Sequence, residues 1–436
     1  MTTFHTLTRA VAGLPLLAAL LAAGHASATA APGADAELVK RGEYLARAAD
    51  CIACHTSSKS QPYAGGVPFP TPMGIIYSSN ISPDKEHGIG TLTEAEFIGA
   101  VREGVSKGGK HLYPAMPYTS YTQMTDADVK AIRAYLLTVK PIAVNPPANT
   151  LPFPFNQRWT MLFWNWINLS SGRFQADPGK SVEWNRGAYL AGPLAHCQEC
   201  HTPRNITMGL SGKTLAGAQL GNWSAYNITS DKVAGVGGWT DAELAAYLRD
   251  GAAHGKANAA GPMGEVVENS TRFLTAPDLQ AIVTYLRSVP ARDDGSTSGN
   301  ATPRYGWGKP VASVTNLRGK PATLYGDNQG IDGKALYNGN CASCHGWSGN
   351  GIGAAADAGA YPSLLHNTAV GAATADNLTM VVLHGVSRET NRTHVMMPGF
   401  ANQLNDQEEA SLVNYIGTQF GNPAATVTAD QVAKKR

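Results

Sequence analysis

Cys51-Ile52-Ala53-Cys54-His55, Cys197-Gln198-Glu199-Cys200-His201 and Cys341-Ala342-Ser343-Cys344-His345 are one pentapeptide written three times. The pattern C-x-x-C-H is the attachment signal of a c-type haem. Two thiols three residues apart share one helical turn, so both can reach the vinyl groups of a porphyrin and become thioethers. The histidine that follows then falls beneath the iron as proximal ligand. A single C-x-x-C also serves dithiol redox and zinc sites. Here the motifs use all six cysteines of the chain. None is left to complete a four-ligand zinc site, and a histidine follows each pair at the same offset.

Cys51 and Cys197 are 146 positions apart, Cys197 and Cys341 144. A period that constant predicts tandem duplication of a small domain plus linker within the 436 residues. Charged residues make up 15%, below the roughly 25% of ordinary soluble domains. With 47 Gly and 26 Pro, that composition points to loops wrapped around a prosthetic group that supplies much of the apolar core. The formal charge of +2 is no nucleic-acid footprint.

Residues 1–30 read as a signal peptide: Arg9, an apolar run from Val11 to Ala23, then Ala26-Ser27-Ala28 and Ala28-Thr29-Ala30 as cleavage candidates. The expected order is then domain 1 (31–142), a linker with an aromatic segment (143–176), domain 2 (177–292), a linker (293–325), domain 3 (326–422) and a polar tail (423–436). Helices are expected over Ala36 to Ala49, Asp126 to Thr138, Pro277 to Ser288 and Gln407 to Phe420 from three- and four-residue apolar spacing. Thr93-Glu94-Ala95-Glu96 and Thr240-Asp241-Ala242-Glu243 carry N-cap signatures for a further helix, and Thr374 to His384 is its third copy. Asn80-Ile81-Ser82 and Asn227-Ile228-Thr229 also correspond, without a third copy. The segment Trp159 to Leu169 is apolar around most of a helix, with Arg158, Asn165 and Asn168 as interruptions. Eleven residues cannot cross a bilayer, which leaves packing between domains, a partner subunit or seating at a membrane interface.

Gly42 with Tyr44, Gly187 with Tyr189 and Gly333 with Tyr337 resemble the glycine and aromatic that let the first and last helices cross in class I cytochromes c. The fold class expected is therefore mainly α, three tandem class I cytochrome c domains joined by Pro/Gly-rich linkers. That resemblance places a sixth iron ligand on a loop tens of residues after each motif. Met116, Met263 and Met397 fit, 61, 62 and 52 positions after His55, His201 and His345. Met396 is an adjacent rival, His254 and His394 are histidine contenders, and Met161 and Met208 read as packing residues. A thioether in the sixth position raises the potential and closes the iron to substrates.

With these motifs, Phe155-Asn156-Gln157-Arg158 and Glu183-Trp184-Asn185-Arg186-Gly187-Ala188-Tyr189-Leu190, nearly the whole chain resembles the tri-haem cytochrome c subunits of bacterial membrane-bound dehydrogenases for alcohols, gluconate, sorbitol or fructose. The resemblance implies three covalent haems c and a large catalytic subunit holding flavin or pyrroloquinoline quinone. It also implies ubiquinone as acceptor and a periplasmic place on the outer face of the cytoplasmic membrane. Similar cytochromes serve molybdenum-containing aldehyde and N-heterocycle dehydrogenases, and a free multihaem shuttle is a further alternative. No Rossmann fingerprint, P-loop or nucleophile elbow is present, so no catalytic site of its own is expected.

Overall fold

Gly42, Leu45, Ala46 and Ala49 recur at three- and four-residue intervals and are buried, the stripe that an amphipathic helix turns inward. They line the helix Pro32–Ala48 and the turn beyond it. Val129, Ile132 and Leu136 do the same on Asp126–Leu136. The structure is a computed structural model and describes residues 32–293, 295, 302–309, 325–326, 330–352 and 361–436; the expected signal peptide and most of the expected second linker lie outside them. The two helices cross where Gly42 meets Ala131, and a Cβ on Gly42 would overlap the Ala131 carbonyl oxygen. The same crossing recurs between Val182–Tyr189 and Ala276–Ser288, at Gly187 against Ala281. It recurs again between Gly333–Asn340 and Asp406–Phe420, at Gly333 against Ser411. The molecule is mainly α, and the strands among the described residues form two-stranded antiparallel pairs.

A third helix stands beside each crossed pair. Glu94–Glu103 and Asp241–Asp250 start in full capping boxes, Thr93 with Glu96 and Thr240 with Glu243. Each satisfies otherwise orphaned backbone donors. Asp376–His384, the third copy, starts after Ala375 without a side-chain cap.

The first two repeats share one apolar core, which runs from Leu45, Ala49 and Ile132 to Leu190, Leu194 and Ile282. Across it their polar contacts are reciprocal. Tyr189 donates its hydroxyl to Asp128, 2.5 Å away, beside the Arg41–Asp128 ion pair. Tyr44 donates to Asp278 at 2.6 Å, beside Arg186–Asp278. Each phenol also accepts the backbone N–H that opens the other repeat's closing helix, Thr125 for Tyr189 and Thr275 for Tyr44, both at 3.2 Å. The tyrosines expected to serve helix crossing within a repeat thus link two repeats by a pseudo-twofold exchange.

The third repeat has its own core around Leu336, Leu383, Leu412 and Phe420. It meets the second through polar contacts to main chain: Asn377 exchanges two bonds with the backbone of Ser224 (2.8 and 2.9 Å), and Thr368 donates to Lys256 O at 2.7 Å. The buried Arg388 donates to Ala259 O. The tail is more than polar chain. Val427 and Val432 are buried, Ala429–Ala433 is a helical turn, and Arg436 pairs with Asp406 at 2.8 Å.

Candidate haem sites

Each motif forms one short helical segment: Cys51–His55, Cys197–His201 and Ala342–His345 directly after Cys341. The first two begin after residues in the left-handed region, Asp50 and His196. Burial pushes the thiols of Cys51, Cys54, Cys197 and Cys341 up to about 12 and raises that of Cys200. A dithiol redox pair or a thiolate metal ligand needs the opposite shift. Among the described residues, no three His, Cys, Asp or Glu side chains gather as a direct metal site.

The three histidines are held alike. Nδ1 of His55 lies 2.7 Å from Ser79 O, that of His201 2.6 Å from Tyr226 O, and that of His345 2.8 Å from Pro362 O. A carbonyl only accepts, so Nδ1 carries the proton and Nε2 keeps its lone pair, the tautomer that ligates a metal. Burial lowers all three pKa values, which keeps the rings neutral. Ser79 and Tyr226 immediately precede the Asn-Ile-Ser/Thr segments. Asn80 Nδ2 donates to Ile142 O (2.7 Å) and Asn227 Nδ2 to Arg292 O (2.6 Å), which ties each segment to the chain beyond the closing helix. In the third repeat Pro362 supplies the carbonyl instead, so that motif is not needed there.

Three glycines complete this arrangement. The N–H of Gly65, Gly217 and Gly351 donates to the backbone carbonyl of His55, His201 and His345, at 2.8, 2.7 and 2.8 Å. All three have positive φ, and a Cβ on each would collide with the segment that brings the orienting carbonyl. They lie 10, 16 and 6 residues after their histidines, a spacing too uneven to read as a motif.

Met116 sits in a tight turn, its N–H bonded to Tyr113 O and its carbonyl accepting from Tyr118, half-buried against the shared core. Met263 lies in the first turn of Gly261–Asn269, which Pro262 opens. That helix packs against the first motif segment and against the strand Val386–Glu389 of the third repeat. Met397 ends the strand His394–Met397 and packs on the third core, whereas alternation turns Met396 outward, 67% exposed. His254 and His394 are exposed, unlike a ligand enclosed with a porphyrin. Met208, expected to pack, is exposed at a turn.

The first two motifs stand side by side. Glu199, inside the second, accepts from Thr119 (3.0 Å) and Ser120 (2.8 Å) of the first repeat. The His196 ring meets Tyr121 edge-on at 5.5 Å. Cys54 and Cys200 are near enough for the charge of one to act on the other. Fully buried Arg102 pairs with Asp126, yet its Nε and Nη2 find no acceptor among the described residues. Such donors suit the carboxylates of a haem, and with buried thiols and Nδ1-anchored histidines the residues fit that group.

The cytochrome c family profile matches residues 39–140 and 331–419. The fructose dehydrogenase cytochrome subunit of Gluconobacter japonicus is 43% identical over 91% of this chain and 82% of its own length. The chain belongs to the cytochrome c subunits of membrane-bound dehydrogenases. The cytochrome c subunit of alcohol dehydrogenase (quinone) from Gluconobacter oxydans is 36% identical over 98% of this chain and 86% of its own length. A subunit of the nicotinate dehydrogenase of Pseudomonas putida is 38% identical over 92% of this chain, which spans 32% of that longer protein. Membership of this family implies covalently bound haem c and electron transfer as the chain's work.

Proposed function

We propose that the mature chain is a periplasmic, tri-haem c-type cytochrome. It passes electrons from the flavin- or pyrroloquinoline-quinone-containing catalytic subunit of a dehydrogenase complex, on the outer face of the cytoplasmic membrane, to ubiquinone. Cys51 and Cys54, Cys197 and Cys200, and Cys341 and Cys344 hold three haems. His55, His201 and His345 are the proximal ligands, and Met116, Met263 and Met397 close the sixth positions. Each haem, when bound, supplies a one-electron couple. The protein orients each imidazole through Nδ1, keeps it neutral by burial, and shuts water and substrate away from the iron.

The observation that carries this reading is the threefold Nδ1-to-carbonyl anchor, which fixes Nε2 as the free nitrogen in every motif. Haem determination on the purified chain should give three per polypeptide, and a haem stain should survive denaturing electrophoresis. The native complex should contain a large catalytic subunit and reduce a ubiquinone analogue when given that subunit's substrate. Fewer than three haems, or carbon monoxide binding to the reduced protein, would overturn the closed-carrier assignment. The likeness to a nicotinate dehydrogenase favours one second reading, the cytochrome of a molybdenum-containing aldehyde or N-heterocycle dehydrogenase. Molybdenum in the purified complex would decide for it.

A further inference from the structure

Trp159, Leu162, Phe163, Trp166 and Ile167 recur at i, i+3, i+4, i+7 and i+8 along the turn Arg158–Thr160 and the helix Met161–Asn168. That is the stripe a globular helix turns toward its core. Here it faces out, with Trp166 84% and Phe163 61% exposed. The polar side faces in. Tyr118 of the first repeat donates to Asn165 Oδ1 at 2.7 Å. On the second-repeat side, Trp164 Nε1 donates to Thr207 O at 2.8 Å and Thr207 Oγ1 to Asn168 Oδ1 at 2.9 Å. Both repeats therefore grip the helix so that its apolar stripe stays outside. Ile206, next to Thr207 and fully exposed, extends the patch.

Cations rim this patch at one end. Arg158 stacks over Tyr113 at 4.6 Å and donates to His111 O at 2.7 Å, which fixes the small hairpin of residues 105–111 beside the helix start. Lys107 and Lys110 stand exposed at its tip, around the exposed Gly108 and Gly109, where an added Cβ would meet no neighbour among the described residues. Residues 159–169 carry no charge. Tryptophans beside basic residues suit the headgroup region of a bilayer, where the ring body is buried and the indole N–H stays wet. An eight-residue helix of about 12 Å cannot span the hydrocarbon but can lie in the interface plane.

We propose that this outward stripe, with Lys107 and Lys110 at its rim, is a lipid-docking surface that seats the protein on an anionic bilayer. The proposal deepens the membrane-associated reading above and rests on it. The rim charges complement phosphatidylglycerol-type headgroups, and the uncharged centre suits acyl chains.

The test uses the haem-loaded full-length mature protein, co-sedimented with vesicles of phosphatidylcholine alone or mixed equally with phosphatidylglycerol and read by haem absorbance in the pellet. The parent should partition to the mixed vesicles. A Trp159→Ser/Phe163→Ser/Trp166→Ser variant should lose about 1000-fold or more in partition, since each of the three large apolar side chains contributes at least about tenfold. A Lys107→Gln/Lys110→Gln variant should lose about fivefold per lysine on mixed vesicles only. Haem content and the visible spectrum should match the parent in both, because the substituted side chains are exposed. A triple variant that sediments like the parent overturns this surface and leaves membrane association standing. A parent that sediments with no vesicle overturns both. A triple variant that keeps the vesicles but loses the catalytic subunit assigns the face to that partner and overturns the lipid proposal.

Discussion

The first two repeats meet one another as the halves of a dimer meet; the third meets the second as a docked neighbour. In the first junction apolar side chains from both repeats form one core, and two phenol–carboxylate–arginine sets cross it in opposite senses. At the second junction the cores stay separate, and side chains reach across to main-chain atoms. Sequence at one helical turn accounts for the difference. Arg41-Gly42-x-Tyr44 and Arg186-Gly187-x-Tyr189 supply the cation and the phenol of each exchange, whereas the third repeat reads Asp332-Gly333-Lys334-Ala335. The crossing glycine is kept, and the groups that would bind a sister repeat are gone. Helix crossing and repeat pairing are thus separable properties of one turn.

The largest effect is expected from Gly187→Val, which drives a branched side chain into the Ala281 carbonyl and costs about 3 kcal/mol or more. Hydrogen exchange should show both early repeats losing protection together while residues 361–420 keep theirs. If residues 35–48 stayed protected, the early repeats would not be one cooperative unit. Asp278→Asn comes next. It removes the charge that Arg186 and Tyr44 both address, at about 2–3 kcal/mol. Tyr44→Phe on that background should cost much less than on the parent, because the two share one interaction.

Proton dependence should distinguish the regions by sign. Burial alone would raise the Asp278 carboxyl, but the bonds from Arg186 and Tyr44 outweigh it and hold it below the ordinary range. Its stabilisation is present above the unfolded value and is lost as pH falls through the lowered one. Burial pushes Glu409 up to about 7, partly offset by Arg436. The third repeat is therefore favoured below about 4.5, the unfolded value, and loses that contribution as pH rises through about 7. Acid should loosen the first junction, whereas raising the pH from about 4.5 through about 7 should loosen the third repeat. Glu409→Gln should abolish the second slope, measured as exchange protection of Asp406–Phe420 between acid and alkaline buffers. The smallest effect is expected from Asn377→Ala, about 1 kcal/mol. It should lower exchange protection of Asp376–His384 and leave the early repeats unaffected.

The motif segments, the crossing helices and two of the three helix caps could be read from residue order, because they depend on neighbours within one or two turns. Tyr44 and Tyr189 could not be placed, since their partners lie 234 and 61 positions away. The orienting carbonyls were half legible: the paired Asn-Ile-Ser/Thr segments marked the place, but their bond to histidine is made by the residue before them. The contact shared by Gly65, Gly217 and Gly351 escaped because loops of unequal length deliver the same backbone bond. The aromatic segment was recognised as a helix with polar interruptions, yet which side would face the protein depended on Tyr118 and Thr207, both distant in sequence.

Reciprocity at the first junction also bears on how it assembles. Two free chains held by such an exchange would associate only at high protein levels, but the 143–176 segment makes the second half's arrival intramolecular. Tethers of that kind give effective concentrations of about a millimolar. A modest bimolecular affinity is thereby converted into near-complete occupancy, at any dilution of the whole protein.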